Sequence, residues 1–229
     1  MRKKELIHWF GLLGVISLLS YTMAVIFAPT AYPNYKWMAQ AVSDLSALDS
    51  PSKVLWDQLA ILYVVGGMVS IMMVCVFIQG KLNPMLRIGI YLFAIMNWIS
   101  CIGYAMFPLS ESGNAGTVQD IIHIYVVTVL VVLISIVSLI LIMIGGYRET
   151  KYRSLAIWAT VSLLLMFIGA IGSGIVPKDY FGIPERFSVF SAVGFNAVLG
   201  VYLFKGFTFA QQESSHASKR NNFFKYGGI

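Results

Sequence analysis

The chain has 229 residues, of which 58% are hydrophobic and only 11% charged, with a net charge of +6. A soluble domain carries about 25% charged residues, so this composition cannot cover a water-facing surface and excludes a soluble globular protein. It also leaves too little polar chain for a separate catalytic domain of about 50 residues or more, so any chemistry must be built from helix ends and loops.

After Met1-Arg2-Lys3-Lys4, an apolar run over 6–28 predicts the first membrane helix. It exceeds the roughly 7–15 apolar residues of a cleavable signal and reads as retained. The connection 29–54 places Trp37, Ala41, Leu45 and Leu48 on one helical face, which predicts a short helix lying on the interface or folded over the bundle. Pro51 behind Ser50 then reads as a capped start to the second helix. Further spans follow at about 55–79, 88–107, 119–144, 154–176 and 186–207, each long enough to cross roughly 30 Å of hydrocarbon. The fold class is therefore all-α, a six-helix integral membrane bundle over residues 1–207. A basic-aromatic tail, 208–229, suits an anionic leaflet or a disordered end.

Lys and Arg flanking membrane spans stay preferentially on the cytoplasmic side. With both termini inside a cell membrane, 12 of the 16 bases fall inside and seven of the ten acids outside, a split of +9 against −3. The basic total is thus a matter of topology and not of nucleic-acid binding. Cys75 and Cys101 differ in predicted depth by roughly 13 Å, beyond the ~7 Å Cα limit for a disulfide, and read as buried thiols.

Phe27-Ala28-Pro29, Met106-Phe107-Pro108 and Ile175-Val176-Pro177 end the three outgoing helices alike. Three related hairpins would produce this pattern, and so would the local preference for proline past a helix end. Gly169 with Ser173, Ala170 with Gly174, and Gly66 with Ser70 are small-residue pairs that let helix backbones approach. Asn97, Ser100 and Asn196 read as hydrogen-bonding groups between helices, and Met68, Met72 and Met73 as adaptable packing.

Ionisable residues gather at the outer ends, and such residues in a span are functional candidates. His123 follows Thr117 and Asp120, whose spacing is that of a capping box, and Asp120 at i−3 is placed to hold its tautomer. Arg186 opposes the dipole at the start of the sixth helix and needs an anionic partner: Asp44, Asp120, or a lipid phosphate or carboxylate ligand. His8, His123 and His216 sit too far apart to share a metal. Ser43 or Ser46 is a candidate nucleophile without the Gly-x-Ser-x-Gly elbow, and no nucleotide or cofactor fingerprint is present.

Tyr32-Pro33, Trp37, Ser43-Asp44-Leu45-Ser46-Ala47, Phe107-Pro108, His123 and Gly182-Ile183-Pro184-Glu185-Arg186 together resemble the bacterial and archaeal membrane family called domain of unknown function 998. The resemblance spans about residues 8–207, and Ser46 stands where the family usually has glycine. It implies six membrane helices with these motifs on one face, and no reaction. The leading expectation is a polar outer pocket of Asp44, His123, Glu185 and Arg186 that binds a lipid headgroup or small anion. The alternatives are a membrane enzyme on lipid or envelope precursors, with His123 as base beside Asp44 or Asp120, and a small transporter whose polar path runs through Asn97, Ser100 and Asn196.

Overall fold

In hydrocarbon every backbone N–H and C=O must be satisfied within its own segment, so an apolar chain of this composition folds into helices. The structure, a computed structural model, describes residues 4–207, and among them there is no strand. The expected basic tail, with His216, lies outside the described residues. Among the described residues six helices are long and apolar enough to cross a membrane: α1 (Leu6–Ala31), α2 (Lys53–Phe77), α3 (Pro84–Met106), α4 (Val118–Tyr147), α5 (Thr150–Ile175) and α6 (Lys178–Phe204). This is the all-α, six-span class expected from composition.

Helices adjacent in sequence pack together, closely for α1–α2, α3–α4, α4–α5 and α5–α6 and lightly for α2–α3. α6 closes the bundle against α1 and α2, and half of its apolar window is buried, the largest share of the six. The main core runs through Ile90, Phe93, Leu139, Leu155 and Phe195, with the Phe93 and Phe195 rings edge-to-face at 5.2 Å. A second cluster forms around Tyr21, Val42 and Val193 near the end of the bundle that carries segments 32–52, 107–117 and 176–177, hereafter the loop end.

Small residues set the crossings. A Cβ on Gly14 would stand 2.9 Å from Ser70 Oγ, one on Gly67 2.8 Å from Ser17 Oγ, and one on Gly169 2.6 Å from the Pro184 carbonyl oxygen. Gly11 and Gly200 face each other so closely that either Cβ would strike the other's carbonyl. Gly174, by contrast, has nothing within 4 Å of its Cβ position, and Ser173 turns back to the Gly169 carbonyl (2.8 Å) instead of reaching another helix. Asn196 does bond between helices, donating from Nδ2 to Gly67 O at 3.2 Å, whereas Asn97 donates to Phe93 O one turn earlier in its own helix. Cys75 and Cys101 are both free thiols.

Two local expectations are corrected. Segment 29–54 contains no amphipathic helix: it folds as 3-10 turns at Ala28–Ala31 and Ser43–Ser46, with Leu45 buried and Trp37 and Leu48 exposed. Its backbone groups are claimed by other partners, with Asp44 Oδ2 accepting from Ala41 N, the Tyr35 hydroxyl donating to Ala41 O and Leu48 N donating to Leu109 O. The regular helix of the second span starts at Lys53, two residues past Pro51, because Ser50 and Ser52 bond each other at 2.8 Å and Ser52 Oγ also donates to Leu45 O, fixing a turn there.

Candidate functional site

The loop end is held by carboxylates that accept backbone N–H groups. Asp44, 5% exposed, accepts from Ala41 N through Oδ2 and from Gly113 N through Oδ1, both at 3.0 Å. Gly113 can present its N–H there because its φ of 88° lies in the left-handed region that glycine enters without strain. Ser112 strengthens the same tie, its Oγ donating to Asp44 O and its N to Asp49. Burial pushes the Asp44 carboxyl above its ordinary value, against the pull of the Gly113 and Ala41 N–H groups.

Asp120 is fully buried and spoken for. Thr117 Oγ1 accepts from its N–H and its Oδ2 accepts from Thr117 N, completing the expected capping box, while Ser110 donates from both N (2.7 Å) and Oγ (2.8 Å). Its lone pairs are therefore used to fold segment 108–117, and they do not reach His123. The expected orienting role is corrected on that ground. His123, 7% exposed, instead places Nδ1 2.7 Å from the Phe107 carbonyl oxygen. A carbonyl only accepts, so Nδ1 carries the proton and Nε2 is the ring's remaining acceptor. The imidazole also lies 4.7 Å from the Tyr104 ring.

Around His123 the helix is locally wider, a π-helical turn over Ile122–Thr128. Such turns occur often at functional sites. Thr128 Oγ1 donates to the His123 carbonyl at 2.9 Å and receives the Tyr104 hydroxyl at 3.1 Å, which fixes the irregular backbone.

The regular helix of α6 runs Gly182–Phe204, with Pro184 in its first turn, where a missing N–H costs nothing, and Glu185, which suits the positive helix end. Glu185 Oε2 accepts from Val42 N at 3.2 Å. Arg186 folds back against its own helix start: Nη1 donates to Gly182 O (2.6 Å) and Gln40 O (3.1 Å), and Nη2 to the Tyr35 hydroxyl (2.7 Å). The expected carboxylate contact is absent. Among the described residues the ion pairs are Lys53–Asp57 and Lys151–Glu149, so no acid lies within 4.0 Å of this guanidinium. The three acceptors are neutral because the loop backbone of 37–40 rests directly on Gly182, leaving no room for an acidic side chain between them. Of the five N–H donors of arginine, two remain for another acceptor.

Asp44, Glu185 and Arg186 are thus brought together through segment 40–44, and Arg186 is within electrostatic range of both carboxylates. His123 belongs to the adjoining 107–128 unit. Asp57, paired with Lys53 on the surface, is apart from both. Sequence reasoning missed four tyrosines. Tyr35 receives Arg186, and burial pushes its hydroxyl up to about 12, so it stays protonated. Tyr21, Tyr63 and Tyr104 lie beneath the loops within electrostatic range of one another or of Glu185. The available signal was depth: Tyr21 and Tyr63 are each ten residues from the loop-end terminus of their helices, Ala31 and Lys53.

A cavity of about 400 Å³ lies between α3 and α4 at the opposite end, and one of about 290 Å³ lies along α3 at Trp98 and Ile102; neither is lined by Asp44, His123, Glu185 or Arg186. Among the described residues no three His, Cys, Asp or Glu side chains group as metal ligands. Ser46 Oγ donates to the Ser43 carbonyl, so it is not paired with a base. Compared with known proteins, the chain matches over residues 15–202 the model of a family described as Protein of unknown function (DUF998). No curated protein and no solved structure matches it.

Proposed function

The chain belongs to the DUF998 family of proteins of unknown function, and we propose that it is a membrane protein that binds a lipid headgroup or small anion at the loop end through Arg186. The observation that carries this reading is the half-buried guanidinium fixed by three neutral acceptors with no carboxylate in contact. An arginine so positioned has little further freedom to lose on binding, and it recognises phosphate or carboxylate through paired N–H groups. Tyr35 and the Gly182 carbonyl orient the planar group. On the charge distribution along the chain this end faces outward.

The other readings draw less support. An enzyme needs a nucleophile or water position within about 3 Å of its base, and among the described residues no hydroxyl or thiol is hydrogen-bonded to the His123 side chain, whose one hydrogen bond is from Nδ1 to the Phe107 carbonyl. A transporter of the broken-helix kind needs irregular backbone near mid-membrane, and the π-helical turn of α4 lies in its first turns at the loop end.

The test uses purified protein titrated with short-chain phosphatidylglycerol and, separately, phosphatidylcholine, with tryptophan emission as readout because exposed Trp37 belongs to the loop whose backbone rests on Gly182. Wild type is expected to bind the anionic lipid saturably, and Arg186→Gln to bind it at least tenfold more weakly, the loss of a charge-assisted contact of about 1.5–3 kcal/mol. Arg186→Lys should recover only part. Equal binding by wild type and Arg186→Gln would sink the proposal. Gly182→Ala offers a second check, since its Cβ would stand 2.6 Å from Arg186 Nη1 and 2.5 Å from Trp37 O; the same loss of affinity is expected without any change in charge.

A further inference from the structure

At the end opposite the loops, the first turn of α3 and the last turns of α4 flank an open cleft of about 400 Å³, within the range of roughly 300–1,000 Å³ typical of ligand pockets. Met85, Ile88 and Leu141 form its wall, and Asn83, Arg148 and Glu149 its rim. Ile88 is half exposed, so in a membrane the wall faces lipid chains.

The rim is electrically unbalanced. Glu149 is fully engaged, with Oε1 accepting from Asn83 Nδ2 at 2.8 Å and Oε2 pairing with Lys151 Nζ at 3.1 Å. Asn83 is itself locked, donating to Gly145 O and capping α3 through Leu86 N. Arg148 is left exposed, and among the described residues no carboxylate lies within 4.0 Å of it. Arg148, Lys151 and Glu149 together leave one net positive charge beside an apolar cleft at a helix end.

The geometry points to a bound anionic phospholipid, its phosphate on Arg148 and one acyl chain in the α3–α4 cleft along Met85, Ile88 and Leu141. A free phosphate would leave the apolar wall unused, and a zwitterionic lipid would bring its own cation to a rim that already carries one. The site is separate from Arg186 and does not depend on the function proposed for the loop end. Its occupancy adds to the close α3–α4 contact at their termini, where Asn83 donates to Gly145 O and Gly145 lies against the Leu86 backbone.

The test is lipid retention by the full chain, purified from bilayers of mixed phosphatidylglycerol and phosphatidylcholine and read by native mass spectrometry. Wild type is expected to retain one phosphatidylglycerol, which Arg148→Gln reduces at least fivefold and Arg148→Lys only partly. Leu141→Trp, which fills the cleft, is expected to have the effect of Arg148→Gln, while Arg186→Gln leaves this retention unchanged. Retention that survives Arg148→Gln, or that shows no preference for phosphatidylglycerol, overturns the assignment. Arg148 is exposed, so its variants fold; should Leu141→Trp fail to fold, the Arg148 pair still decides.

Discussion

Gly200→Ala is expected to lower the unfolding temperature by roughly 6–12 °C, corresponding to about 3 kcal/mol at a few degrees per kcal/mol for a chain of this size. The added carbon would strike the Gly11 carbonyl of α1 and stand 3.0 Å from Ser70 Oγ of α2. A flexible side chain can move aside, but a backbone carbonyl on the facing helix moves only if α1 shifts as a whole. That shift also disturbs Gly14, Ser17 and Gly67, which share the crossing. Gly194→Ala is the matched control: it lies on the same helix, nothing stands within 4 Å of its Cβ position, and alanine is the better helix former by about 1 kcal/mol. Thermal unfolding of the two variants in one detergent separates packing from propensity. If Gly200→Ala melts with wild type, the close crossing is not what holds α1 to α6.

Removing Asp44 is the second large change. Asp44→Ala takes the carboxylate acceptor away from the N–H of half-buried Ala41 and of exposed Gly113, where water replaces it in part, at about 0.5–1.5 kcal/mol each, and should free segment 107–117 from segment 40–49. Limited proteolysis is expected to cut first near Glu111–Gly116. The pH dependence has a definite sign. Burial raises the carboxyl of Asp44 above 3.8, so the folded chain holds this proton more tightly than the unfolded chain. Its contribution is fully present below 3.8 and is lost as pH rises through the raised folded value. Stability measured upward from about pH 4 should therefore decline by an increment that Asp44→Asn removes, since asparagine has no proton to lose. A pH profile identical in wild type and Asp44→Asn contradicts this account.

Composition and charge made the six helices legible, since nothing but a closed hydrogen-bond pattern survives in hydrocarbon. The loop end was legible as residue types but not as contacts. The spacing of Thr117 and Asp120 announced a capping box, and the structure contains it. The same spacing also put His123 beside Asp120, yet two donations from Ser110 and the nearby Phe107 carbonyl redirected both side chains. For Arg186, an acidic partner is the economical guess from sequence. Carbonyls from Gln40 and Gly182 take its place because backbone oxygens carry no signature in a string of side chains. Segment 29–54 misled for a related reason: a periodic row of Trp37, Ala41, Leu45 and Leu48 predicts a helix only where the backbone is not already committed to its neighbours.

The wide turn at Ile122–Thr128 has an implication for register. A π-helical turn is an α-helix that has accommodated one extra residue, so the two parts of α4 on either side of it are rotated relative to an uninterrupted helix by about 100°. Deleting one residue within it would allow ordinary winding to resume. The long apolar part of α4, gripped by α3 and α5, would stay in place, and the start of the helix would swing, carrying Asp120 away from Ser110 and the His123 ring away from Tyr104. The membrane-spanning face and the loop-end face of α4 are thus set independently, with a single inserted position as the gear between them.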